Sequence, residues 1–173
     1  GYDRSDDLVV RKHDLISLNT ELPMWHDITS FEEAFRKGRQ LLTEESVLEA
    51  HQHLRRAYVL LRGDYLEDCP MEWALPTRRE LERACLDCYE SLAQCCQKLE
   101  MYPEVLEVAN RGLERDPCHQ VFHRLIMEAY IGSRRPESAL RQFEEAAEIL
   151  LDELGVEPST DLLKTQQIAR MSM

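Results

Sequence analysis

Apolar positions recur along this chain in a repeating arrangement. Ala50, Leu54 and Ala57, then Val105, Ala109 and Gly112, then Ala139, Phe143 and Ala146 share one spacing, small-x3-large-x2-small, which puts each trio on one face of a helix. At a constant offset upstream lies a partner helix, carrying Gly38 and Leu41, then Leu92, Ala93 and Cys96, then Ile126, Met127 and Tyr130. The last two trios are 34 residues apart (105 to 139), the period at which one helix pair stacks on the next. The pattern predicts three antiparallel helix pairs. Small residues let the helices of a pair approach closely, and the large one fills the gap to the next pair, so no pair buries its apolar face alone.

Helix breakers punctuate this string. Thr29 or Ser30 is placed to cap the first helix, with Glu32 and Glu33 in a first turn where the helix dipole favours carboxylates. That helix is expected to reach about Leu42, and the second to run from about Glu45 to Leu61. The third spans about Arg78 to Leu99, and Pro103 suits the first position of the fourth, which ends near Asp116-Pro117. The fifth covers about Cys118 to Ile131 with Gly132 as its stop, and Pro136 opens a sixth that Gly155 ends. Ser159 caps a seventh, from about Thr160 to Ala169, which closes the open end of the stack. The expected fold is all-α: three tetratricopeptide-like helical pairs plus a C-terminal capping helix.

Two stretches fall outside the repeats. Residues Gly1 to Asp7 are polar and expected to fray, while Leu8-Val9-Val10 and Leu15-Ile16-Ser17-Leu18 flank the charged turn Arg11-Lys12-His13-Asp14 as a short β-hairpin. Between Arg62 and Thr77 the helical period fails, leaving a long connection. Tyr65, Leu66 and Trp73 within it are expected to fold back as a cap on the first repeat.

Composition narrows the function classes. With 43% apolar residues and only 6 Gly and 7 Pro in 173 residues, the chain has the material for one folded helical body. No apolar run reaches membrane-spanning length, so no membrane partner is expected. A formal net charge of −12 opposes a direct grip on a phosphate backbone. The basic runs Arg36-Lys37-Gly38-Arg39, Arg55-Arg56, Arg78-Arg79 and Arg134-Arg135 fall on or beside Glu-rich helices and read as solvated faces.

The 6 cysteines raise a metal or redox question. Cys85, Cys88, Cys95 and Cys96 fall inside one predicted helix, on the face that packs, and four thiolates on one straight helix cannot close a tetrahedron around a metal. Buried reduced thiols are the expectation, with no metal and no cofactor, and the cytoplasm as compartment. Cys118, His119 and His123 include an i, i+4 histidine pair, expected on a partly exposed helix surface. The chain has no H-E-x-x-H, G-x-S-x-G, Walker or dinucleotide motif, and no enzymatic activity is expected.

Longer motifs carry a resemblance. Leu61-Arg62-Gly63-Asp64-Tyr65-Leu66-Glu67-Asp68, Glu72-Trp73-Ala74, Arg124-Leu125-Ile126-Met127-Glu128-Ala129-Tyr130, Ala139-Leu140-Arg141-Gln142-Phe143-Glu144 and Leu151-Asp152-Glu153-Leu154-Gly155-Val156-Glu157-Pro158-Ser159 together resemble the bacterial transcriptional activator domain of antibiotic-regulatory-protein-type and related large regulators. The likeness covers roughly Ile28 to Ala169, and its most specific piece is the Asp-Glu-Leu-Gly-Val-Glu-Pro-Ser ending. Val105 stands where the family usually has Ala, and Cys replaces bulkier apolar residues in the third helix. The resemblance implies that residues 1–28 are the closing hairpin and junction of a winged-helix DNA-binding domain, mostly absent here, and that residues 29–173 are the activator domain. It further implies a non-enzymatic regulatory module that couples DNA, an effector and the transcription machinery. Its partners would be RNA polymerase, a second protomer or other domains of the same chain, with DNA reached through the upstream domain.

In stacked helix pairs the first helix of each pair lines the concave surface. The spacing places Glu32, Phe35, Arg39, Asp87, Glu90, Gln94, Val121, Arg124 and Glu128 there as a partner-binding groove, with Phe35 and Arg124 as anchors. Two other classes compete. A peptide-binding adaptor that clamps a terminal carboxylate needs Lys, Arg and Asn on first helices, yet Asn occurs only at Asn19 and Asn110. A cysteine-based metal or redox sensor would use Cys85, Cys88, Cys95 and Cys96.

Overall fold

The computed structural model describes residues 9–12, 15–19 and 26–173. Its helices are α1 (Asp27–Thr43), α2 (Val47–Leu60), α3 (Leu75–Lys98), α4 (Tyr102–Arg115), α5 (Gln120–Gly132), α6 (Pro136–Leu154) and α7 (Thr160–Met171), preceded by strands β1 (Val9–Lys12) and β2 (Leu15–Leu18). Helices α1–α2, α3–α4 and α5–α6 form the three expected antiparallel pairs, and α7 packs on α5 and α6 as the end cap.

The same turn joins the helices of every pair. Glu45, Glu100 and Arg134 adopt left-handed backbone with φ of 60°, 57° and 59°. The following residue then donates back across six residues: Ser46 to the Leu41 carbonyl, Met101 to Cys96 and Arg135 to Tyr130. Each is a Schellman closure, which satisfies the carbonyls left open at a helix end. A non-glycine residue in that conformation is strained by about 1–2 kcal/mol, and three copies of the turn tolerate it because the pair's packing fixes the chain.

Small residues set the close approaches. A Cβ on Gly112 of α4 would overlap the Phe122 ring of α5, so glycine is what lets that aromatic residue bury completely. At the far end Gly155, with φ +64°, stops α6, and Ser159 Oγ accepts from Leu162 N at 3.4 Å to start α7.

Burial falls into three apolar clusters. The largest joins the first two pairs to α5 through Leu54, Tyr58, Tyr89, Leu92, Val108, Phe122 and Ile126. A second, with Met127, Ala139, Phe143, Ala146, Leu150, Leu162 and Ala169, holds the third pair to its cap. A third places Phe31, Ala34, Ala57 and Cys88 together under the first pair.

Several expectations change. Helix α1 starts at Asp27, before Thr29 and Ser30, because the Asp27 carboxylate accepts from Ile28 N at 2.8 Å and turns the chain earlier. Helix α3 likewise starts at Leu75, three residues early, with Pro76 in its first turn. In the hairpin, Val9 pairs with Leu18 and Lys12 with Leu15, so Arg11 and Lys12 belong to the strand. Leu8, His13, Asp14 and residues 1–7 lie outside the described residues.

The long connection does not plug the first repeat with Trp73, which is 65% exposed. Arg78 organises it instead, donating from Nε to the Tyr65 carbonyl (3.0 Å) and from Nη2 to those of Leu66 (2.6 Å) and Cys69 (3.1 Å). Those three bonds hold the loop by its backbone, so its aromatic tip is free of the core. Tyr65 and Leu66 instead border a 300 Å³ cavity that Phe31, Leu60 and Leu61 also line, and Ala74 is fully buried.

Candidate partner-binding groove

The first helices α1, α3 and α5 lie side by side, and each predicted groove residue sits on them, exposed or half-buried. On α1, Phe35 stacks on Phe31 at 5.7 Å between ring centres, and the Arg39 guanidinium lies 5.6 Å from the Phe35 ring. Glu32, Phe35 and Arg39 share a shallow depression of 520 Å³ with Ala84 of α3. Arg39 also borders a second depression, of 310 Å³, with Asp87, Glu90 and Gln94 of α3. The structure therefore brings six of the nine residues together around Arg39.

The α5 trio is arranged differently. Arg124 Nη1 donates to Glu128 Oε1 at 2.6 Å along its own helix, and Val121 packs against the main core. Neither depression includes these three. The link between α3 and α5 is instead His119, whose Nε2 lies 3.9 Å from Glu90 Oε2 and whose ring tilts against Phe122 at 4.5 Å. Glu90 in turn accepts from Gln94 Nε2 at 2.8 Å.

Sequence reasoning missed Leu42, Thr43 and Ser91 on the rim of the second depression. Helical spacing could have found Ser91, one turn beyond Asp87. The set as a whole carries four carboxylates, on Glu32, Asp87, Glu90 and Glu128, against the two guanidiniums of Arg39 and Arg124. Such a surface favours a partner that presents cations or amide donors.

Two arginines expected on solvated faces are structural. Besides Arg78, Arg55 points inward over the Tyr58 ring (5.0 Å) and pairs with Glu104 (3.4 Å) and Glu107 (3.5 Å) of α4. The Tyr58 hydroxyl donates to Glu107 at 3.0 Å and accepts from Arg111 at 3.2 Å, and burial first of all raises its pKa.

The cysteines and histidines sort by burial. Cys85, Cys88, Cys95 and Cys96 are all buried and unbridged. Desolvation pushes the thiol pKa up to about 11 at Cys95 and about 12 at Cys96, and upward at Cys85 and Cys88, so the thiols stay protonated. His123 is 1% exposed, which corrects its expected place on the surface. Its Nε2 donates to the Pro117 carbonyl (2.8 Å) and its Nδ1 accepts from Gln142 Nε2 (3.0 Å), so it is a neutral core histidine whose pKa burial lowers. Asn110 lies exposed on α4, bonded to the Leu106 carbonyl, away from the first helices that a carboxylate clamp would use.

This geometry defines a helical-repeat protein of the tetratricopeptide-like class, three stacked pairs closed by a cap. Solved folds agree. Mycobacterium tuberculosis EmbR, in complex with a low-affinity phosphopeptide, superposes with a TM-score of 0.79 at 18% identity, over 96% of this chain and 44% of that one. The TPR2B domain of yeast Sti1, in its pHsp70 complex, gives 0.59 at 17% identity over 84% and 99%. At these identities the likeness establishes the fold alone. Within that class, the profile of the bacterial transcriptional activator domain matches residues 26–169, and the chain belongs to that family. The regulatory protein DnrI of Streptomyces peucetius is 29% identical over 142 residues, 81% of this chain and 52% of DnrI, so the chain spans about half of that relative's length. The family assigns a role in transcriptional regulation. No helix among the described residues is long and apolar enough to cross a membrane.

Proposed function

We propose that this chain is the partner-binding, signal-coupling part of a cytoplasmic DNA-binding transcriptional activator, and that it acts through protein contacts in the groove rather than by catalysis. The partner is RNA polymerase, a second protomer or another domain of the same polypeptide. The observation that carries this reading is the row of polar and half-buried side chains of α1 and α3 that converges on Arg39, with the α5 residues set apart from it beyond His119. EmbR and Sti1, solved in complex with a low-affinity phosphopeptide and with pHsp70, share the fold and support it by that analogy alone. Residues 1–28, of which all but the last three precede the family match, are read as the final hairpin and junction of a winged-helix DNA-binding domain, supported by the antiparallel β1–β2 pairing. The mechanism is binding with population shift: an effector changes output only by favouring one packing of the repeats over another.

Fusing the 173-residue chain to an unrelated DNA-binding domain and measuring reporter transcription tests the reading. Arg39→Glu is expected to abolish most activation, because it removes the cation between the two depressions and adds a fifth carboxylate. Arg124→Glu also disrupts the α5 end by opposing Glu128, and is expected to weaken activation without melting the fold. Full activation by a well-folded double variant would remove the groove from the mechanism.

A further inference from the structure

We propose that His51, Cys96 and Glu104 form a binding site for one divalent cation of the zinc class, which fastens the first helix pair to the second. The three side chains come from three helices: His51 from α2, Cys96 from the last turn of α3, and Glu104 from the first turn of α4. Their ligand atoms all lie within 4.8 Å of one another, with His51 Nε2 and Glu104 Oε2 already at 3.2 Å. A tetrahedral ion with bonds of about 2.0–2.3 Å needs donors about 3.3–3.8 Å apart, so small side-chain rotations close the site. It is sheltered: Cys96 is fully buried, and the His51 and Glu104 side chains are each 16% exposed.

The donor chemistry selects the ion. One thiolate, one imidazole and one carboxylate suit zinc, whereas magnesium and calcium prefer oxygen alone. Three protein ligands leave a fourth position for water. Thiolate and carboxylate together balance the double positive charge, so the buried centre is neutral. On binding, the Cys96 S–H bond breaks, the sulfur electron pair goes to the metal and one proton leaves to solvent. Without metal, Nε2–H is the donor towards Glu104 Oε2; on binding, the imidazole takes the tautomer protonated on Nδ1, so that Nε2 gives up that contact and coordinates.

A supporting shell is in place. Arg55 Nη1 holds the other Glu104 oxygen, Oε1, at 3.4 Å and leaves Oε2 facing His51. Cys95 is not a ligand, since its thiol donates to the Val47 carbonyl at 3.1 Å. The expectation of no metal looked for ligands clustered along one helix, while these are brought together from positions 51, 96 and 104 by the stacking itself. None of the three belongs to the groove, so this inference stands or falls apart from the groove reading.

Cobalt(II) and then zinc titrated into the full reduced chain test it. The expected result is one equivalent of cobalt bound with a thiolate charge-transfer band and tetrahedral visible bands, zinc displacing it, and a metal-dependent rise in Tm. Cys96→Ser should lose the charge-transfer band, and Cys95→Ser should keep it. His51→Gln and Glu104→Gln should each weaken zinc about tenfold or more, at least the loss seen when supporting contacts are removed. No cobalt band in the wild-type chain overturns the site, as does a band that survives in folded Cys96→Ser. Should Cys96→Ser lose its helical circular dichroism, His51→Gln decides, because unchanged zinc affinity there also overturns the proposal.

Discussion

The junction between the first two helix pairs and the junction between the third pair and its cap solve the same problem with different materials. At the first, buried thiols and aromatic rings sit beside a polar seam in which Arg55, Tyr58, Glu104, Glu107 and Arg111 bridge α2 and α4. At the second, Met127, Ala139, Phe143, Ala146, Leu150, Leu162 and Ala169 form an apolar contact. The apolar junction needs only complementary shape. The polar seam needs its charges paired, and that ties the angle between the pairs to the state of a few side chains. The signal coupling proposed above would require such an adjustable joint, and the polar seam is the better candidate for it.

Deleting one large side chain from the main core that the first junction belongs to, and one from the cap junction, should separate them most clearly. Phe122→Ala removes the ring that fills the space over Gly112 and is expected to cost about 3–5 kcal/mol, unfolding the whole stack in one transition because Phe122 belongs to the main core. Leu162→Ala at the cap is expected to cost about 2–5 kcal/mol at its own site, but to release α7 while α1 to α4 stay protected, since repeats couple mainly to their neighbours. Urea denaturation with hydrogen exchange on both variants checks this. Equal loss of protection along the chain in Leu162→Ala would show that the cap and the main core are one cooperative unit.

A smaller effect sharpens the comparison through pH. His123 packs at the third pair with both ring nitrogens engaged and a pKa below its ordinary value of 6.5, lowered chiefly by burial. The unfolded chain therefore takes up that proton at higher pH than the folded one. The sign follows: the contribution of neutral His123 is full above about pH 6.5 and is lost as pH falls from there towards the folded pKa. Protonated Nδ1 would also face the Gln142 amide donor, which must turn away. Stability measured from pH 7.5 to 5 should decline, with α5 and α6 exchanging first. His123→Gln should flatten that slope. A slope unchanged in the variant would assign it to other groups.

What could be read from the sequence tracks how local each determinant is. Pro136, Gly155 and Ser159 act on their own backbone, so α6 and α7 were legible to within a few residues. The repeat spacing also located every first helix, and with it the groove side chains on α1 and α3. Trp73 was misplaced because Arg78, thirteen residues from Tyr65, holds the loop by carbonyls that carry no side-chain signature. His123 was misplaced because its partner, Gln142, comes from another helix. His51, Cys96 and Glu104 were invisible as a group for the same reason: their proximity is a product of stacking, and no motif spacing encodes it.

The smallest expected effect tests the one feature that the polar and apolar parts of the stack share. Glu45, Glu100 and Arg134 all hold the left-handed turn position of their pairs. Replacing Glu100 by glycine relieves a strain of about 1–2 kcal/mol and gives back about 0.5–1 kcal/mol in unfolded-chain entropy, a net gain of a few tenths to about 1 kcal/mol. Arg134→Gly should gain similarly, except that its neighbour Arg135, over the Tyr130 ring at 5.1 Å, keeps that turn fixed in either case. If the joint between the first two pairs is the adjustable one, easing the α3–α4 turn should also change how strongly the Cys96 end of α3 is held. Glu100→Gly should then raise Tm while altering hydrogen exchange at Cys96 and Met101, and Arg134→Gly should raise Tm alone. Identical exchange in the two variants would make the turns interchangeable and leave the polar seam no mechanical distinction from the rest of the stack.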